Sequence, residues 1–198
     1  MDLVIATRNQ GKLKEIRRLL LDTGVVVRGL DEFPEAPEVE EDGDSFEANA
    51  RKKAETVAAA IGLWTLADDS GLTVEALGGK PGVHSARYAG PAASDADNNA
   101  KLIQELTEVP LPQRKGAFNC CMALSRPGEP TRVFHGRIEG LLLNEPRGEG
   151  GFGYDPLFLV REYGKTMAEL AIEVKNRISH RGQALRQALG WIKDNLLG

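Results

Sequence analysis

Asp68 and Asp69 stand side by side after an apolar run, Leu63 to Ala67, and are followed by Ser70-Gly71. Acids in that place have no core role, and burying them unpaired would be costly. Two readings fit: carboxylates for Mg²⁺, which takes one or two of them plus water and substrate phosphates, or a polar turn, since Asp, Ser and Gly favour turns. Thr7-Arg8-Asn9-Gln10-Gly11-Lys12 follows another apolar run, Leu3 to Ala6. A strand, a glycine-containing polar turn and then a helix present backbone N–H groups at the positive helix end, which suits phosphate, and Lys12 adds a full charge. The spacing of a Walker A loop is absent. From Gly148 to Pro156 four glycines surround Phe152 and Tyr154. Such backbone lets a ligand come close, and an aromatic face there could stack on a base. Lys175 and Ser179-His180-Arg181-Gly182 gather cationic donors around a helix start, where positive charge opposes the helix dipole. An anionic or carbonyl-bearing ligand would explain them. His84 and His135 lack such surroundings and read as structural.

The composition frames these stretches. Of 198 residues, 41% are hydrophobic and 27% charged, with net charge −4. That is ordinary globular make-up for one domain or two small lobes, and it disfavours a disordered chain or a nucleic-acid binder. Eight acids (Asp31, Glu32, Glu35, Glu38, Glu40, Glu41, Asp42, Asp44) fall within residues 31–44, leaving +4 on the rest. This segment reads either as a solvated loop or as a partner for a divalent cation beside an anionic ligand. Cys120 and Cys121 are adjacent, so in a strand they point to opposite faces and cannot bridge each other. No run is long enough to span a bilayer, and Met1 to Ile5 lacks a basic leader, so a cytoplasmic protein without membrane partners is expected.

The elements that must position these residues follow from periodicity. Leu3 to Ala6 reads as a buried strand, and Lys12 to Leu21 as a helix with Leu13, Ile16 and Leu20 inward and Lys14, Glu15, Arg17 and Arg18 on the other face. Val25 to Val27 is a second strand. A helix spans Asp44 to Ile61, with Asp44 as N-cap and Glu47 completing a capping box. Its stripe of Phe46, Ala50, Ala54, Val57 and Ile61 covers about 80° of arc, with Lys53 and Asn49 just outside one edge. Lys53 either snorkels or aims its ammonium into a cleft. The strand from Leu63 to Ala67 delivers Asp68-Asp69 at its carboxyl end, where α/β proteins bind ligands. A loop through Gly78 to Pro91, a helix from Ser94 or Asp95 to Thr107, strands over 116–124 and 131–143, a short strand over 158–160, and helices over 166–176 and 180–197 complete an α/β chain with a mixed sheet.

Together these segments resemble the inosine triphosphate pyrophosphatase family. The resemblance rests on Thr7-x-Asn9-x-x-Lys12, Ser45-Phe46-x-x-Asn49-Ala50-x-x-Lys53-Ala54, Ala67-Asp68-Asp69-Ser70-Gly71-Leu72, Leu77-Gly78-Gly79-x-Pro81-Gly82-x-x-Ser85-Ala86-Arg87-Tyr88, Gly150-Gly151-Phe152-Gly153-Tyr154-Asp155-Pro156 and Ser179-His180-Arg181-Gly182. It implies one α/β domain over 1–198 with a mixed twisted sheet, flanking helices and two lobes around a central cleft, assembled as a homodimer. It also implies cleavage of ITP, dITP and XTP to the monophosphate and pyrophosphate with Mg²⁺, cleansing the nucleotide pool. Two alternatives stand beside it: a related pyrophosphatase for modified pyrimidine triphosphates, and a non-catalytic nucleotide sensor.

The resemblance places Asp69 as general base and metal ligand, with Asp68 in support and Lys53 beside them in the catalytic set. Counting back from Ser45-Phe46, Glu41 is the acidic-segment residue that joins the metal. Lys12 and Lys53 hold phosphates, together with Thr7, Asn9, Gln10 and Gly11. Arg8 stands where the family usually has Gly, and either adds a phosphate contact or points to solvent. Ser70 contacts substrate. Phe152, with Gly153 and Tyr154, forms the stacking loop, and Asp155 and Lys175 fix the base pocket. Donors from His180 and Arg181 facing the 6-oxo group accept hypoxanthine and xanthine and oppose the amino group of adenine. Loss of the Arg181 side chain is expected to harm substrate binding far more than folding.

Overall fold

The computed structural model describes residues 1–21 and 23–197. Strands β1 (Asp2–Ile5), β2 (Val26–Gly29), β3 (Thr65–Val74), β4 (Lys115–Ser125), β5 (Arg132–Leu142), β6 (Phe158–Val160) and β7 (Lys165–Thr166) form one sheet in the order β2-β1-β3-β4-β5-β6-β7. β1 pairs parallel with β2 and with β3, whereas β6 pairs antiparallel with β5 and with β7, so the sheet is mixed as expected. The helices are α1 (Gln10–Leu19), α2 (Phe46–Ile61), α3 (Asp95–Glu105), α4 (Ile172–Ile178) and α5 (His180–Leu196). Among the described residues no helix is long and apolar enough to cross a membrane.

The chain divides into two compact units. The first comprises Met1–Asp69, Cys120–Gly136 and Arg181–Gly198. It has a core on each face of its strands. Leu3, Ile5, Leu66, Cys120, Met122 and Leu124 pack with Leu13, Ile16 and Leu20 of the α1 region and Ala184, Leu185, Ala188 and Ile192 of α5. Ala6, Ala67, Cys121 and Ala123 pack with Ala50, Ala54 and Val57 of α2. The adjacent cysteines thus enter different cores, both as free thiols, and burial pushes the Cys121 thiol up to about 12. The second unit comprises Ser70–Asn119 and Arg137–His180. Its core joins Leu72 and Val74, Leu102 of α3 and Leu106 just beyond it, Phe118, Leu142, Tyr154, Leu157, Phe158 and Met167.

Several boundaries differ from the sequence reading. α2 is capped by Ser45, not Asp44: the Ser45 hydroxyl accepts from the Ala48 N–H, and Glu47 pairs with Arg51. α1 begins at Gln10 because the side chain of Asn9 accepts from the Lys12 N–H and starts the helix earlier. β3 does not end before Asp68-Asp69 but runs on to Val74. The apolar Leu72 and Val74 are fully buried, and that burial outweighs the turn preference of Asp-Asp-Ser-Gly. The helix expected over 166–176 begins only at Ile172. Thr166 belongs to β7, its hydroxyl donates to the Arg147 carbonyl, and Glu169 reaches back to the Thr166 N–H across a turn. Half of a capping box therefore forms without the helix it usually starts.

Candidate active site

Continuation of β3 through the paired aspartates sets the faces on which their side chains lie. Successive side chains of a strand point to opposite faces. Asp68 faces α1 and α5, and Asp69 faces α2. The Asp68 carboxylate lies 3.0 Å from Lys12 Nζ and 3.6 Å from Arg181 Nε, with its side chain wholly buried. Arg181 also binds Glu15 of α1, and both of those side chains are buried. Two cations and two anions thus alternate on this face: Lys12, Asp68, Arg181 and Glu15.

On the other face, Asn49 Nδ2 donates to Asp69 Oδ2 at 2.9 Å. The Asn49 carbonyl oxygen accepts from the Gly43 N–H at 2.8 Å, tying the acidic segment to the same helix. A Cβ at Gly43 would stand 2.6 Å from that oxygen, so glycine permits the approach. Lys53, one helical turn on, donates to Glu41 Oε1 and to the Asp68 backbone carbonyl, each at 2.5 Å. Its neighbour Lys52 pairs with Asp42 at 2.6 Å. Three side chains of α2 therefore hold residues 41–43 beside the end of unit 1's stretch of β3. Both the α2 stripe and its polar edge behave as the wheel predicts, with Asn49 and Lys53 buried next to Ala50 and Ala54.

The electrostatics of the two acids diverge. Burial would lift the Asp68 carboxyl, but Lys12, Arg181 and Lys53 override it and hold it far below the ordinary carboxylate range. Asp69 moves the other way. Burial raises its carboxyl, the Glu41 carboxylate raises it further, and Lys53, Asn49 and Lys12 only partly offset them. Burial would also lower Lys53, yet Asp68, Glu41 and Asp69 raise it above its ordinary value, so it stays a cation. A raised carboxylate next to a second carboxylate is the arrangement of a proton acceptor, and a hard cation with oxygen ligands would relieve their repulsion. Among the described residues no three His, Cys, Asp or Glu side chains form a closed metal cage. Asp69 and Glu41 fit instead a cation that keeps water and substrate oxygens as its other ligands.

The turn before α1 shows the expected shape. Thr7 Oγ1 accepts from the Asn9 N–H at 3.2 Å, Arg8, Asn9 and Gln10 are exposed, and Gly11 is half-buried. Ser70 lies within β3 and is half-buried.

The second unit holds the glycine-rich loop. Asp155 Oδ2 accepts from Lys175 Nζ at 2.7 Å and from the Phe152 N–H at 2.9 Å. Lys175 Nζ stands 5.3 Å from the centre of the Phe152 ring. Both charges of the pair are about 5% exposed, so each depends on the other. Tyr154 donates its hydroxyl to the Ser85 carbonyl at 2.8 Å. His180 stacks on Phe118 with ring centres 5.0 Å apart, and Phe118 stacks on Phe158 at 4.3 Å. Gly151 has φ +77°, and a Cβ there would stand 2.0 Å from Asp155 Oδ2. Gly151→Ala is therefore expected to displace Asp155 and to destabilise the protein by about 1–3 kcal/mol, read as a lower urea midpoint at unchanged slope.

Two placements depart from the sequence reading. Glu15, assigned to the solvent face of α1, is buried against Arg181. Its position on the wheel carries no sign of this, because the partner lies more than a hundred residues away in sequence. Arg181, for its part, is 3% exposed and bound to two carboxylates. Its loss would remove a buried cation from Glu15 and from Asp68, so its cost to folding is larger than the sequence suggests. Asn49 and Phe118 were not assigned to the site. The edge position of Asn49 on the α2 wheel pointed to it, whereas nothing local marks Phe118.

Known proteins resemble this chain along nearly its whole length. The dITP/XTP pyrophosphatase of Geobacter sulfurreducens is 56% identical over 192 residues, which is 96% of this chain and 96% of that protein. The dITP/XTP pyrophosphatase of Bacillus subtilis is 49% identical over 184 residues, 93% of each. The structure of a HAM1 protein from Coxiella burnetii matches with a TM-score of 0.89 at 42% identity, covering 98% of this chain and 99% of that one. The model of the Ham1 family extends over residues 3–191, and the chain belongs to that family.

Proposed function

We propose that this protein hydrolyses non-standard purine nucleoside triphosphates (ITP, dITP and XTP) to the monophosphate and pyrophosphate. The observation that carries the reading is the divided fate of the adjacent acids: Asp68 is fixed as an anion by Lys12 and Arg181, while Asp69 is lifted toward a proton-accepting range on the face of Lys53, Glu41 and Asn49. Similarity to dITP/XTP pyrophosphatases at about half identity over the full length supports the substrate class.

In the reaction, a water oxygen bonds to the α-phosphorus, the bond from that phosphorus to the bridging oxygen breaks, and pyrophosphate leaves. Asp69 accepts the water proton, with Asn49 fixing the carboxylate's orientation. Lys12, Lys53 and residues Thr7 to Gly11, the turn and first residues of α1, hold the phosphates. Mg²⁺ held by Asp69 and Glu41 would neutralise developing charge on the phosphate oxygens. Phe152 stacks on the base, held by the Asp155–Lys175 pair, and His180 and Arg181 supply donors toward the 6-oxo group. Ser70, Gly153 and Tyr154 complete the substrate contacts. The chain acts as a homodimer in the cytoplasm.

The test is pyrophosphate release from a panel of ITP, XTP, dITP, ATP, GTP and methylated UTP and CTP, with Mg²⁺ and with chelator. The expected result is rapid turnover of the first three alone and loss of turnover on chelation. Preference for the pyrimidines, or ITP binding without turnover, would overturn the reading. Phe152→Ala is expected to raise KM for ITP about tenfold or more with a modest effect on kcat, since base stacking is worth ~1–3 kcal/mol.

A further inference from the structure

The loop that carries Phe152 is gripped from α3 at a single residue. Asp95 Oδ2 accepts from the Gly153 N–H at 2.6 Å. Asn99 Nδ2 donates to the Gly153 carbonyl at 2.9 Å and to the Asp95 carbonyl at 2.8 Å. Residues 95 and 99 are four apart on a helix and so share one face. Their opposite hydrogen-bonding characters match the two polar groups of one peptide residue, an acceptor for its N–H and a donor for its C=O. Gly153 needs this hold: its φ is +61°, in the left-handed region. α3 is itself a firm base, because Ser94 and Asp97 cap it reciprocally and Leu102 and Leu106 are fully buried.

We propose that Asp95 and Asn99 are positioning residues for base recognition, fixing the Phe152 ring by clamping Gly153, the next residue along. The ring is then set from two sides. Asp155 holds the Phe152 N–H within the loop, and the α3 pair holds the peptide that follows. The hydrogen bonds of the two α3 side chains run to the Gly153 backbone and to the Asp95 carbonyl, so they bear on the base through the loop. This inference rests on the reading of Phe152 as the stacking residue.

The test compares isosteric changes that keep or invert the hydrogen-bond pattern. Asp95→Asn keeps an acceptor for the Gly153 N–H and is expected to leave KM for ITP within about twofold of the parent. Asp95→Ala removes the acceptor, and Asn99→Asp replaces the donor by a carboxylate facing the Gly153 carbonyl. Each is expected to raise KM about tenfold with kcat nearly unchanged, the mark of lost binding and not of lost chemistry. Thermal unfolding of all three variants separates a general loss of fold, and Asn99→Ala provides a milder second removal of the donor. An equal KM for Asp95→Ala, Asn99→Asp and the parent, in an enzyme whose Phe152→Ala variant has a raised KM, would overturn the clamp and leave the stacking role intact. A parent enzyme that fails to turn over ITP, or a Phe152→Ala variant with unchanged KM, would instead overturn the reading beneath it.

Discussion

Asp69→Asn is expected to lower kcat for ITP by ~10²–10⁴-fold, the usual contribution of a positioned base. The change keeps the shape of the side chain and removes its ability to take a proton. Asn49 still faces it, and Lys53 retains Glu41 and the Asp68 carbonyl as partners, so the thermal midpoint is expected to move by only a few degrees. The measurement is single-turnover pyrophosphate release beside a melting curve. A variant that turns over at the parent rate would remove Asp69 from the mechanism, and one that fails to fold would make its role structural. The same geometry gives a pH limb. Protonation of Asp69 removes the base, so kcat should fall on the acid side as that carboxyl takes up its proton, and the limb should vanish in the Asn variant.

Asp68 should behave in the opposite manner. Removing its carboxylate by Asp68→Ala leaves Lys12 and Arg181 without their shared anion in a buried setting. Breaking one partner out of such a group costs ~3–5 kcal/mol, which for a chain of this size lowers the melting temperature by roughly 10 °C. The linkage has a definite sign. A carboxyl whose folded-state pKa is depressed contributes stability that is fully present above its unfolded value, 3.8, and is lost as the pH falls through the lower folded value. Stability of the parent should thus fall more steeply than that of Asp68→Ala as the pH drops below about 4. Calorimetric scans across that range would show it, and parallel curves for the two proteins would count against the buried network.

The residues of the site were more legible than the connections between them. Apolar periodicity located the strand before the paired acids, the stripe of α2 and the position of Lys53 at its edge, because each depends on neighbours a few residues away. The termination of β3 was misplaced, since Asp-Asp-Ser-Gly reads as a turn unless the burial of Leu72 and Val74 is known. Thr166 and Glu169 misled for the same reason: their pairing is real, but Thr166 is already committed to β7 and to the Arg147 carbonyl. Glu15 and Arg181 could not be joined by any local pattern, as 166 residues separate them. The grip of α3 on Gly153 is equally non-local, joining residues 58 and 54 apart in sequence.

A strand that sends consecutive carboxylates to different helices sets their surroundings by parity. Substituting a residue in it alters one address, but inserting or deleting a single residue upstream of Asp68 would turn both carboxylates to the opposite face. An insertion would bring the Asp68 carboxylate to Asn49, and a deletion would bring that of Asp69 between Lys12 and Arg181. The length of this segment is consequently as constrained as its chemistry, and natural or engineered variation in β3 should take the form of replacements and never of indels.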